Sequence, residues 1–205
     1  MAYGKYKNIN EVATKYRINV AVESFVQPLP IALDERFERL RDDLADALNN
    51  LEVKMSEASI CEFLLAPILS EIWKRHRDTL LLWSHVSLKV GEEFDGYPDY
   101  LFTKRAELGM VREKPYLLVV EAKKDDFDGG WGQCLAALLA AQTINETDQL
   151  LLHGAVSNGD VWQFGKLLGH QFVRDPRSFT IFELEGLFAA LNYIFTQVEE
   201  LARNN

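Results

Sequence analysis

Two short segments carry side chains that could do chemistry together. The first is Gly96-Tyr97-Pro98-Asp99-Tyr100-Leu101-Phe102, and the second is Leu118-Val119-Val120-Glu121-Ala122-Lys123-Lys124. Side chains alternate along a strand, so Glu121 and Lys123 share a face. They end an apolar run, so both charges emerge where a sheet meets a cleft, and a charge in such a place needs a partner. If Asp99 lies on the neighbouring strand, two carboxylates converge and repel. A hard cation relieves that repulsion. Mg²⁺ prefers oxygen ligands and keeps several waters, so two protein carboxylates suffice; Mn²⁺ is an alternative of the same kind. Water on such a cation can attack a phosphodiester. Lys123 would hold that water or offset charge building on the phosphate.

Glu-x-Lys alone says little, because it arises by chance on the order of once per few hundred residues. Glu52-Val53-Lys54 fits it too. The contexts differ: Glu52 follows no apolar strand and no Pro-Asp, whereas Glu121 has both upstream. Pro98-Asp99 is the chain's only Pro-Asp.

The pattern of Asp99, Glu121, Ala122 and Lys123 resembles the PD-(D/E)XK nuclease superfamily. Three further pieces agree with the superfamily, and the first and last of them resemble its restriction-subunit members. Ser56-Glu57-Ala58 with Leu64, Leu65 and Pro67 is similar to an upstream helix that supplies a glutamate, making Glu57 the match and Glu62 the fallback. Gln133 stands where a glutamine follows the lysine on the next helix. Gly154-Ala155-Val156-Ser157-Asn158-Gly159-Asp160-Val161-Trp162 resembles a late hairpin. The likeness runs from about residue 56 to residue 167, and the whole chain is similar to cyanobacterial-type members.

The resemblance implies an α/β fold: a restriction endonuclease-like mixed sheet flanked by helices, with a helix-strand-strand-strand-helix-strand core. It implies a catalytic set of Asp99, Glu121, Lys123, Gln133 and Glu57. Mg²⁺ or Mn²⁺ would be held by Asp99, Glu121, the carbonyl of Ala122, and Glu57. It also implies DNA as the partner, with a homodimer as one form in which such small domains cut a duplex. The 22 positions between Asp99 and Glu121 exceed the spacing in compact members, and the charged insert 105–114 is expected to lengthen a hairpin loop.

Each residue also has an ordinary reading. Asp99 could be a turn residue after proline, Glu121 and Lys123 a structural ion pair, Glu57 a first-turn acid, and Gln133 a polar residue at a helix start. Asp125, Asp126 and Asp128 read as a solvated acidic loop capping the helix at Gly129. Trp131, Trp162 and Phe164 read as core rather than base-stacking residues. His153 reads as a hydrogen-bonded core histidine.

The elements follow from periodicity and punctuation. A short helical pattern spans 9–16. Asp34 caps a helix to about 49, with Phe37, Leu40, Leu44 and Leu48 on one face. Ser56 caps a longer helix to about 77, which Pro67 should bend or split. Strands are expected at 85–94, 99–104 and 116–123, the third apolar enough for a central position. A very apolar helix spans 131–142. Strands at 150–156 and 161–167 flank the turn signal Asn158-Gly159. An amphipathic helix closes the chain at 183–202. The expected organisation is one domain over 1–205, with 1–50 as a helical N-terminal extension.

Of the 205 residues, 48% are apolar and 26% charged, which suits one folded domain and not bulk disorder. The first ten residues lack the apolar run of a secretory leader, and no run is long enough to span a bilayer. With Cys61 and Cys134 both in helical patterns, a cytoplasmic chain with reduced thiols is expected. The net charge of −9 runs against a generally basic DNA-binding surface. It favours a second reading: a catalytically silent module of the same fold that binds DNA or a protein. A third reading gives the apolar stripe of the last helix to a partner, although such a stripe more often packs on its own sheet.

Overall fold

The structure, a computed structural model, describes residues 6–91 and 93–205. The first five residues of the expected N-terminal extension lie outside the described residues, as does Glu92 in the expected strand 85–94.

In chain order the elements are α1 (Ile9–Tyr16), β1 (Asn19–Val22), α2 (Glu35–Asn50), α3 (Glu57–Ile60), a π turn (Cys61–Leu65), α4 (Ala66–Trp73), β2 (Leu80–Ser84), β3 (Leu88–Val90), β4 (Phe94–Gly96), β5 (Tyr100–Arg105), β6 (Arg112–Ala122), α5 (Phe127–Asn145), β7 (Leu152–Ser157), β8 (Val161–Leu168), β9 (Gln171–Thr180) and α6 (Leu184–Asn204). Seven strands form one mixed sheet in the order β1-β9-β8-β7-β6-β5-β2. β6 pairs parallel with β7, and β1 parallel with β9; the other neighbours are antiparallel. β3 and β4 make a separate antiparallel pair. This is a mixed α/β sheet with helices on both faces, as the sequence suggests. The helix-strand-strand-strand-helix-strand core is present as α3–α4, β2, β5, β6, α5 and β7.

Helix starts follow their caps. Asp34 accepts from the N–H groups of Arg36 and Phe37, both at 3.1 Å. Ser56 accepts from Ser59 at 3.1 Å, and Asp126 from Gly129 at 2.8 Å. The helix expected from Ser56 to about 77 ends at Trp73 and is broken by the π turn Cys61–Leu65, which ends two residues before Pro67. Proline has no N–H and crowds the preceding turn, so the helix must change its hydrogen-bonding pattern there.

β6 is buried from Tyr116 to Ala122, which is why that stretch reads as apolar on both faces. α5 covers one face of the sheet and carries α1 on its outer side. Gly132 permits that close approach: a Cβ there would stand 2.9 Å from the carbonyl oxygen of Asn8. α6 and α4 cover the other face. Phe195 of α6 meets Phe102 of β5 edge-on at 4.9 Å, a geometry worth about 0.5–1.5 kcal/mol beyond burial.

Three expectations need correction. The strand expected at 85–94 is two short strands, β3 and β4, with Gly91 at φ 60° between them. The core strand in that region is instead β2, which pairs Leu82 with Phe102 and Ser84 with Tyr100. β9 went unread because Arg174, Asp175, Pro176 and Arg177 interrupt its pattern; the last three occupy a bulge between the Gly165–Arg174 and Gln163–Ser178 pairs. The segment expected as a helical extension also holds a strand, β1, at one sheet edge.

Candidate metal and active site

The β5–β6 ladder brings the two chemical segments together. Tyr100 pairs with Val120 and Leu101 with Val119, so Asp99, one residue before β5, falls opposite Glu121. Asp99 is fixed there because its Oδ2 accepts the main-chain N–H of Ala122 at 2.7 Å. The long insert forms the hairpin loop of residues 106–111 between the paired strands.

Glu121 is 3% exposed, and its Oε1 has no hydrogen-bond partner among the described residues. Burial, and then the Asp99 charge, push its carboxyl well above the ordinary range; Lys123 only partly opposes this. Burial also raises Asp99, against the pull of the Ala122 N–H, Lys123 and His85. Two neighbouring carboxyls are thus held in a setting that resists their charge.

Lys123 follows β6, with its N–H donating to the Ser157 carbonyl at 2.8 Å. It is 7% exposed. Its stem lies along α5 at Gly130, where a Cβ would meet Lys123 Cγ at 2.8 Å and Val156 Cγ1 at 2.6 Å. Its Nζ reaches Glu57, 3.3 Å from Oε2 and 3.4 Å from Oε1. Glu57 opens α3, and its side chain is half exposed. Glu62, the fallback, is exposed beside Asp43, Asp46 and Pro67 instead.

Gln133 is half-buried on α5, and its side chain makes no hydrogen bond among the described residues. It stands about one turn from Gly130, on the same side of the helix. Lys124, Asp125, Asp126 and Asp128 are exposed. Trp131, Trp162 and Phe164 are core. His153 is buried, but neither ring nitrogen has a partner among the described residues, unlike the hydrogen-bonded histidine expected.

Two residues that the sequence reading left out also face this site. His85 Nε2 is 3.3 Å from Asp99 Oδ1. Cys61 offers its sulfur to the same group: ligand atoms of Cys61, His85 and Asp99 all lie within 4.8 Å of one another. Burial and the Asp99 charge push the Cys61 thiol up to about 12. Cys61 had a readable signal, since it follows Glu57 by four residues, one helical turn. His85 had none without the β2–β5 pairing.

The donor set fits a hard divalent cation. The register sets Asp99 opposite Glu121 at a sheet end, and the orphaned Oε1 of Glu121 is what a cation would satisfy. Asp99 and Glu121 are the residues that could hold it; Glu57 is engaged with Lys123 instead, and its ligand atoms do not group with theirs.

No protein-family model matches the chain, and no curated protein matches it. Among solved structures it is similar to the type IIG restriction endonuclease BpuSI, with a TM-score of 0.42 and 15% identity over 89% of this chain. The chain spans 18% of that enzyme's length.

Proposed function

We propose that the chain hydrolyses phosphodiester bonds in DNA with a Mg²⁺-dependent PD-(D/E)XK-type site. One observation carries this reading: the buried, unpartnered Glu121 carboxylate opposite Asp99, with Lys123 beside it. Asp99 and Glu121 would hold the cation, with Glu57 and the Ala122 carbonyl as its further protein ligands. Mg²⁺, or Mn²⁺ in its place, supplies Lewis acidity toward the phosphate and its attacking water. Lys123 positions that water and offsets charge on the phosphoryl oxygens. Glu57, paired with Lys123, keeps its ammonium aimed at the cleft. Gln133 orients substrate or lysine. Water adds to phosphorus, the bond to the leaving oxygen breaks, and that oxygen takes a proton, leaving a phosphomonoester and an alcohol.

The buried free thiols Cys61 and Cys134 suit a reducing cytoplasm. No described helix is long and apolar enough to cross a membrane. A homodimer would place two such sites on a duplex.

The net charge of −9 favours the second reading, a silent binding module. Plasmid cleavage in Mg²⁺ by the native chain, Asp99→Ala and Lys123→Ala separates the two. Cleavage lost in both variants supports the nuclease. Equal cleavage in all three contradicts this site, and DNA binding in EDTA without any cleavage supports the module.

A further inference from the structure

The cluster of Cys61, His85 and Asp99 is built differently from a Mg²⁺ site, because it adds nitrogen and sulfur to oxygen. Three main-chain or side-chain hydrogen bonds hold it together. The His85 N–H donates to the Asp99 carbonyl at 2.9 Å. The hydroxyl of Tyr100, the residue after Asp99, donates to the Cys61 carbonyl at 2.9 Å. The Ala122 N–H fixes Asp99 Oδ2, leaving Oδ1 toward His85.

His85 itself is set as a ligand would be. Its backbone has φ 50°, in the left-handed region that a residue with a Cβ rarely adopts. Its Nδ1 is 2.7 Å from Ser84 Oγ, so a hydrogen bond holds the ring from behind while Nε2 faces Asp99. Metal-binding histidines are oriented by this kind of second contact. The 3.3 Å between Nε2 and Oδ1 matches an edge of a tetrahedron whose metal–ligand bonds are about 2.0–2.1 Å. Cys61 opens the π turn, a feature that often marks functional positions in helices.

We propose that Cys61, His85 and Asp99 bind a borderline divalent cation of the zinc class, and that this site shares Asp99 with the Mg²⁺ pair so that the two occupancies exclude each other. Binding the cation displaces the thiol proton of Cys61 to solvent and leaves sulfur as a thiolate ligand. Thiolate and imidazole favour zinc over Mg²⁺. Both cations would draw on the one Asp99 carboxylate, whose Oδ2 already accepts the Ala122 N–H, and two divalent charges that close repel each other. Zinc is therefore an inhibitor of the hydrolytic site. The exclusion clause rests on the Mg²⁺ site proposed above; the zinc-class site does not.

Cobalt(II) is the probe, because a cobalt–thiolate bond gives a near-ultraviolet charge-transfer band that carboxylate and imidazole ligands do not. Titration of the reduced full chain should produce that band at one equivalent. Cys61→Ser should abolish it, His85→Ala, which removes a ligand, should weaken cobalt binding by at least the roughly 10- to 100-fold that loss of an outer-shell partner costs, and Cys134→Ser should leave it intact. The His85 side chain is 54% exposed, so its removal should leave the fold unchanged by circular dichroism. No band in the native chain, or a band that persists in Cys61→Ser, overturns the site. Mg²⁺ binding measured by calorimetry should disappear in the zinc-loaded chain, and undiminished Mg²⁺ binding there overturns the exclusion. A cobalt–thiolate band without any Mg²⁺ binding upholds the zinc-class site and contradicts the nuclease reading. Mg²⁺ binding without the band does the reverse.

Discussion

The carboxylate of Asp99 spends one oxygen on the main-chain N–H of Ala122, at 2.7 Å, and so stands opposite Glu121 across the β5–β6 ladder. That single bond turns a residue in a Pro-Asp turn into half of a carboxylate pair. It also sets up a conflict, because Glu121 is buried with an oxygen unsatisfied.

The conflict is measurable in the metal-free protein. The folded pKa of Glu121 is raised, so the native state binds its proton more tightly than the unfolded chain does. Stability from this group is therefore full below the ordinary carboxylate range and declines as pH rises toward the raised value. Glu121→Gln should remove that decline and stabilise the metal-free fold at pH 7 by about 1–3 kcal/mol, while losing cation binding. Urea unfolding in EDTA across pH checks both signs; a variant less stable than native at pH 7 would show that the carboxylate is already satisfied.

Gly130 gives Lys123 its room. Gly130→Ala places a methyl 2.8 Å from Lys123 Cγ and 2.6 Å from Val156 Cγ1. The lysine must shift, and a displacement of about 1 Å at a reacting centre can cost roughly 100-fold in rate. We expect cleavage to fall by about that factor with Mg²⁺ affinity little changed, and stability to drop by about 1–3 kcal/mol. Parallel kinetics and calorimetry separate the two effects.

Far from the site, Asp175 anchors the N-terminal segment. Its carboxylate accepts from the N–H groups of Phe25 and Val26, both at 2.8 Å, and from Arg177. Those partners hold its pKa well below the usual range despite burial. Stability from Asp175 is thus present above the ordinary carboxylate range and lost as pH falls into strong acid. Asp175→Ala should cost about 3–5 kcal/mol, read by chemical denaturation at neutral pH.

His153 behaves oppositely to a well-placed core polar group. Burial lowers its pKa to about 3, and neither ring nitrogen has a partner among the described residues. The unfolded chain protonates it first on acidification, so native stability falls as pH drops from about 6.5 toward 3. His153→Leu should raise stability at pH 7 by about 1–2 kcal/mol and flatten that acid slope. A thermal unfolding series at several pH values tests it.

Much of this was legible in the sequence because it rests on local rules. Asp34, Ser56 and Asn158-Gly159 punctuate their elements by short-range chemistry, and the apolar run before Glu121 marks a central strand. Asp99, Glu121 and Lys123 were readable because an alternating strand fixes which side chains share a face. What escaped depends on distant pairing. β1 is four residues long, and only β9 makes it a strand. β9 itself is masked by the bulge that turns Asp175 inward. His85 joins the site through β2, a strand placed beside β5 by contacts no local pattern announces.

The central claim is that Asp99 and Glu121 hold a divalent cation. Its most direct test is calorimetric titration of Mg²⁺ and Mn²⁺ into the native chain and into the Asp99→Ala/Glu121→Ala double variant, with and without DNA. The expected result is binding in the native chain that vanishes in the variant. No binding to the native chain even with DNA present, or equal binding in both, would contradict the account and leave the carboxylates as structural groups.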